Sequence, residues 1–147
     1  MYVISVAFYK YFILYIFRLI CSNNMNCLLA LQLCPIRNQY SIHGLWFDHN
    51  RKHSCKFSTE TLSDELLSRL KDIWYSCPSI SHHGNASFWK HEYCKHGKPY
   101  FSSAEEYFKV ALHAYDFVMK DCHLWKGREV RIPLVYENNQ FMHRLKF

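Results

Sequence analysis

One short segment of the 147-residue chain concentrates groups that move protons and bind anions: His91, Glu92, Lys95 and His96. His91 and Lys95 are four apart, as are Glu92 and His96, and on a helix positions i, i+1, i+4 and i+5 share a face. Two imidazoles, a carboxylate and an ammonium then project together. A solvated charged face is the ordinary explanation of such a run. Here Phe88, Trp89 and Tyr93 flank it, which implies partial enclosure, and titratable groups gathered in a cleft mark candidate sites. Histidine exchanges protons near neutral pH without special tuning. One neutral and one protonated imidazole run a concerted transfer, and a nearby lysine offsets charge developing on phosphate oxygens. This equipment suits cleavage of RNA through its own 2′-hydroxyl. One imidazole takes the 2′-OH proton, the oxygen attacks the adjacent phosphorus, and an imidazolium protonates the departing 5′-oxygen. The step needs no metal, and DNA lacks the nucleophile.

Clustered histidines also suggest a metal site. His91 and His96 are five apart, so on a helix their rings diverge by roughly 140°, whereas helical zinc pairs sit at i, i+4. Neither a metal nor another cofactor is expected. His82-His83 reads as an exposed loop pair and His113 as a structural or surface residue. His49, His53, His123 and His143 carry no signal.

These groups need elements to hold them. Residues 87–96 read as a helix, ended by Gly97 with Pro99 beyond it. Residues 58–75 read as another, with Leu62, Leu66, Leu67, Leu70, Ile73 and Trp74 on one face, and with Glu65 placed to pair with Arg69 at i, i+4. Residues 102–120 read as a third. Ser102 and Glu105 would form its capping box, and Tyr107, Phe108, Ala111, Leu112, Tyr115, Val118 and Met119 its buried stripe. Residues 27–33 are an apolar run fit for a first strand, stopped by Cys34-Pro35 because proline lacks the ladder donor. Residues 40–46 read as a second strand carrying His43, with Gly44 allowing a close backbone approach. Beyond Asp121 one strand-like stretch remains, 129–136, interrupted by Pro133.

The length suits a single domain with one sizeable core. Half the residues are hydrophobic, which excludes a disordered chain. The formal net charge of +6 draws polyanions such as nucleic acid, and it equally serves solubility. Seven cysteines form no CxxC pair, so the spacing suggests disulfides in an oxidising compartment rather than zinc. The first twenty residues are almost all apolar, broken by Lys10 and Arg18, and the segment 1–24 reads as an imperfect signal peptide or anchor. The sequon Asn85-Ala86-Ser87 suits a secreted, glycosylated chain.

Two stretches carry a resemblance. Ser41-Ile42-His43-Gly44-Leu45-Trp46 resembles the first active-site motif of the ribonuclease T(2) family. Phe88-Trp89-Lys90-His91-Glu92-Tyr93-Cys94-Lys95-His96-Gly97 resembles the second. They occur in order with a helix between, and the likeness covers about residues 28–121. It implies an α+β fold, an antiparallel sheet packed by helices, in a domain over 25–125 followed by a segment 126–147. It implies an endoribonuclease of plant-type, S-like character, acting as a secreted or vacuolar monomer on single-stranded RNA. Residue by residue, His43 would be the general acid and His96 the general base. His91 would hold the phosphate, and Glu92 with Lys95 would stabilise the pentacoordinate phosphorus. Trp46 would stack a base, with Asp48, Phe88 and Gln32 at base-site positions. Core packing is the other reading of Trp46 and Phe88. Cys34 and Cys77 would form a disulfide.

The chain also departs from the family pattern. Lys98-Pro99 stands where Thr-Cys is usual, which orphans Cys55 unless Cys94 takes its place. Phe47 stands where proline is usual, the stretch between Gln32 and His43 is shorter, and the family's later strands and cysteines have no evident counterpart after Asp121. The chain therefore reads as shortened at its C-terminus. These departures keep two other readings open: a catalytically impaired secreted protein that binds RNA or a partner, and a chain that does not fold stably.

Overall fold

The computed structural model describes residues 24–47, 54–78 and 83–144. Four strands form one antiparallel sheet: β1 (Met25–Cys34), β2 (Gln39–Phe47), β3 (Glu129–Glu137) and β4 (Gln140–His143), in the order β2-β1-β3-β4. Three α-helices accompany it: α1 (Asp64–Ile73), α2 (Asn85–Glu92) and α3 (Ala104–Met119). The expected α+β class is what forms, and both expected strands are present, extended at their ends.

Alternation along the strands selects the core face. Cys27, Leu29 and Leu31 of β1, Ile42, Leu45 and Phe47 of β2, and Leu134 of β3 are buried together with Leu66, Leu70, Trp74, Tyr107, Phe108 and Leu112 of the helical segments. Each fully buried side chain of leucine or phenylalanine size contributes about 1.5–3 kcal/mol, so one face of the sheet is committed to packing and the other is left for the site. The stripe expected on α3 is buried except Met119, which is half-buried, and Ala104 and Ala114 join it.

The helix ends differ from the sequence reading. Ser58 caps only a short 3-10 turn, Thr59–Thr61. The α-helix begins at Asp64, where the Ser63 hydroxyl accepts from the Leu66 amide. The third helix is capped one residue later than expected. Ser103 accepts from the Glu106 amide, and the Glu106 carboxylate reaches back to the amide and hydroxyl of Ser102. The cap is thus Ser103 on the Glu106 amide, with Glu106 reaching back to Ser102, not a box of Ser102 with Glu105. Arg69 does not depend on Glu65: its guanidinium forks onto Asp116 of α3 at 2.8 and 3.0 Å, tying α1 to α3 where an i, i+4 pair would have tied α1 only to itself.

The segment after Asp121 joins the sheet. β3 pairs with β1 from Met25↔Tyr136 to Gln32↔Glu129, and β3 turns into β4 through Asn138 and Asn139, both at positive φ, as a two-residue type I′ hairpin requires. Pro133 does not break the strand. Its carbonyl accepts from the Arg144 amide on the β4 side, and in a strand the N and O of one residue point the same way. The missing N–H therefore faces a position beyond the end of β4, and the ladder to β1 loses nothing.

Two disulfides cross-link the elements. Cys34–Cys77 joins the end of β1 to the chain after α1, and Cys55–Cys94 joins the loop after β2 to the turn after α2. Cys55 thus has a partner despite Lys98-Pro99. Among the described residues no helix is long and apolar enough to cross a membrane. Most of the segment 1–24 lies outside the described residues.

Candidate active site

β2 carries the first site group on a bulge. Ala30 pairs with Gly44 and Leu31 with Ile42, leaving His43 as the inserted residue. An extra residue bends the strand and re-aims a side chain. It also shifts the alternation: Ile42 and Leu45 both reach the core, although two residues separate them. His43 and Trp46 consequently share the opposite face, both half-exposed. The Tyr107 hydroxyl donates to the Leu45 carbonyl at 3.1 Å and fixes the strand between them.

The second group comes from α2 and the wide turn that follows, Tyr93–Gly97. In this π-type turn the Lys98 amide donates to the Tyr93 carbonyl, five residues back. Trp89, buried, anchors the helix by donating from Nε1 to the Trp74 carbonyl at 2.6 Å. A Cβ on Gly97 would collide with the rings of Tyr93 and Tyr107, so glycine is what lets the turn lie against α3. Gly44 is needed for a similar reason: a Cβ there would strike Glu92 Oε2 and Trp46 Nε1.

Around this contact the aromatic and titratable groups converge. Trp46 Nε1 donates to Glu92 Oε2 at 3.0 Å. The His43 ring meets Trp46 edge-on at 5.2 Å and Phe88 at 5.9 Å, and the His96 ring lies 5.5 Å from Trp46 at a 31° tilt. His96 Nε2 is 3.9 Å from Glu92 Oε2, too far for a hydrogen bond. Glu92 and His96 are buried, Lys95 is half-buried and His91 exposed. The four helix residues therefore split: Glu92 and His96 turn towards Trp46, while His91 and Lys95 line a surface groove of about 400 Å³ with Ser54, Ser87, Lys90 and the Cys55–Cys94 pair.

Burial sets the protonation states. It pulls His96 down to about 4, aided by the positive charges of Lys95, His91 and His43. It pushes Glu92 up to about 7, against the opposing hydrogen bond from Trp46 and the charge of Lys95. Between those values both groups are neutral, so they form no ion pair. His43 is lowered chiefly by burial, with Arg131, His91 and Lys95 lowering it further and Glu129 opposing. The arrangement offers one imidazole that is an unprotonated base above about pH 4, a second that gains its proton on the acid side of neutrality, and a neutral carboxyl between them.

The remaining expected residues are placed as follows. Phe88 is half-buried against His43. Gln32 is buried, in register with Ser41 and Glu129. Asp48 lies outside the described residues. Asn85 opens α2, half-buried, its Oδ1 accepting from the Ser76 amide at 2.8 Å. Among the described residues no group of three His, Cys, Asp or Glu is gathered as for a metal ion. Sequence reasoning missed Glu129 and Arg131 of β3. Arg131 Cζ sits 5.3 Å from the Trp46 ring centroid, and its Nε is 2.7 Å from Glu129 Oε1. The available signal was the two-residue period of 129–136, which puts both side chains on one face.

The model of the Ribonuclease T2 family matches residues 9–126. Ribonuclease T2-A of Mus musculus is 34% identical over 83 residues, covering 52% of this chain and 31% of that one. Ribonuclease S-7 of Nicotiana alata is 33% identical over 92 residues, covering 55% and 41%. The chain thus spans less than half the length of these relatives, which come from an animal and a plant and do not single out a plant type. A crystal structure of an RNase MC1 mutant in complex with 5′-UMP shares the fold, with a TM-score of 0.53 at 21% identity over 68% of this chain and 62% of that one. A family match over most of the chain establishes that the chain belongs to the Ribonuclease T2 family.

Proposed function

We propose that this chain is an endoribonuclease that cleaves single-stranded RNA by metal-independent transphosphorylation, leaving 2′,3′-cyclic phosphates. The observation that carries the reading is the meeting of two imidazoles from different elements, His43 of β2 and His96 of the turn after α2, on either arm of the Trp46–Glu92 contact. His96, unprotonated above about pH 4, is the base that takes the 2′-OH proton. His43 is the acid that returns a proton to the 5′-oxygen, and a bound phosphate would raise its affinity for that proton. His91 and Lys95 hold the phosphate from the groove side. Glu92, kept neutral by burial, suits an anionic phosphorane better than a carboxylate would, because a carboxylic acid donates a hydrogen bond. Trp46 and Phe88 offer ring faces to bases, with Gln32 and Asp48 assigned to the same base sites.

The two disulfides fit an oxidising compartment, so we place the protein outside the cell or in the vacuolar lumen, as a monomer, with Asn85 as its glycan acceptor. The reading of an impaired binding protein loses a support, since Cys55 is bridged to Cys94. The test is incubation with polyuridylate in EDTA, followed by detection of cyclic-phosphate ends. Cleavage that survives EDTA is expected. His43→Ala and His96→Ala should each lower it by at least about a hundredfold while each variant still unfolds in one cooperative transition. An inert wild-type protein, or cleavage abolished by EDTA, overturns the reading.

A further inference from the structure

We propose that Arg131 of β3 is a phosphate-binding arm of the site, which leaves Glu129 and the Trp46 face to take a phosphodiester of bound RNA flanking the one that is cut. The inference rests on the RNA reading above and adds a subsite from a part of the chain outside the family match, residues 9–126.

Three observations converge on it. The first is position. Arg131 pairs with Ala30, and Ala30 pairs with Gly44, so the guanidinium rises from the same row of the sheet as the bulge, two strands from β2. At about 4.8 Å per strand its backbone lies about 10 Å from that of Gly44. His91 and Lys95 line the groove on the helix side, beyond the Glu92 and His96 that meet Trp46; Arg131 approaches Trp46 from across β1. A strand of RNA laid over Trp46 would have cations on both sides, and the helix side already supplies those for the scissile phosphate.

The second is chemistry. A guanidinium stacks on an indole face and also forks onto phosphate oxygens. Arg131 is held by the Trp46 ring at 5.3 Å and by Glu129 at 2.7 Å. The third is availability. The side chains of Arg131 and Glu129 are 59% and 45% exposed, and an ion pair in such a place is weak. Glu129 takes only the Nε of Arg131, whereas a phosphate can take two guanidinium N–H groups at once, with charge on both partners, so the exchange costs little.

The experiment uses fluorescein-labelled 2′-O-methyl tetrauridylate, which binds but is not cut because its 2′-oxygens are blocked. Anisotropy titrations at several salt concentrations are run on the wild type, Arg131→Ala, Arg131→Lys and Lys71→Ala, the last removing one exposed positive charge from α1. Arg131→Ala is expected to bind about tenfold more weakly and to lower the slope of log affinity on log salt by about 0.7. Arg131→Lys should keep the slope and bind more weakly than wild type, since lysine keeps the charge and lacks the fork. Lys71→Ala should change neither. The subsite is overturned if Arg131→Ala matches wild type in affinity and slope, or if Lys71→Ala loses as much as Arg131→Ala. No binding by the wild type overturns the RNA reading along with it. Binding as expected without cleavage of polyuridylate overturns only the catalytic assignment.

Discussion

His96 and Glu92 stand at i, i+4, and on an exposed helix they would form an ordinary ion pair. Burial reverses this: His96 is drawn down to about 4 and Glu92 pushed up to about 7, so the proton that solution chemistry places on the imidazole rests on the carboxyl. Two predictions follow from the signs. Cleavage needs His96 without its proton and His43 with one. Its pH profile should therefore rise through about 4 and fall at a point below the ordinary 6.5 of histidine, because His43 is lowered too. An optimum above pH 7 in kcat/KM would contradict it. Stability carries two slopes that oppose each other. The folded state refuses the proton that His96 accepts when unfolded, so stability is lost as pH falls from 6.5 towards 4. It keeps the proton that Glu92 releases when unfolded, so stability is lost as pH rises from 4.5 towards 7. The two offset between 4.5 and 6.5. Glu92→Gln removes the carboxyl alone, so its urea midpoint should climb with pH across that window more steeply than the wild type's. Parallel curves would show that Glu92 is already ionised there.

The elements carrying these residues were unevenly legible. The helix of the second motif could be read because residue type and period agree, and Gly97 marks its end. The partition of its four residues could not, since it depends on which side Trp46 occupies. The bulge at His43 was invisible for a related reason: an inserted residue is defined by its partner strand, and His43 is extra only against Ala30 and Leu31. The cap of α3 was misplaced by one residue because Ser102 and Ser103 are adjacent, as are Glu105 and Glu106, and local sequence offers both pairs equally. The cross-links differ in what they position. Cys55–Cys94 anchors the turn bearing Lys95 and His96, while Cys34–Cys77 anchors the far end of β1. Their sequence separations, 39 and 43, give similar loop entropies, so Cys94→Ser and Cys77→Ser should each cost about 2–4 kcal/mol in urea unfolding. Activity per folded molecule should fall only in Cys94→Ser. Equal activity in the two would mean that the turn holds its shape without the bridge.

At the scale of the molecule, the segment 126–147 was the hardest to read and is the most informative. Pro133 suggested a broken strand, and the Asn138-Asn139 turn went unused although two such residues between strand-like runs favour a hairpin. What sequence could not supply was the partner. β3 becomes a strand by pairing with the far side of β1, about a hundred residues away, and contacts of that separation leave no local period. Once formed, β3 places Leu134 in the core with no exposed surface, β4 buries Phe141 nearly as fully, and β3 brings Arg131 and Glu129 to the site face. Sheet, core and site would then melt together. Leu134→Ala tests this directly. Removing a fully buried leucine costs about 2–5 kcal/mol, and if the segment is part of one cooperative unit the loss must appear everywhere at once. Far-UV CD, tryptophan fluorescence near Trp46 and residual cleavage should shift along a single urea transition by that amount. A loss confined to β3 and β4, with fluorescence and cleavage holding to the wild-type midpoint, would instead make this hairpin an appendage on a domain that ends before it.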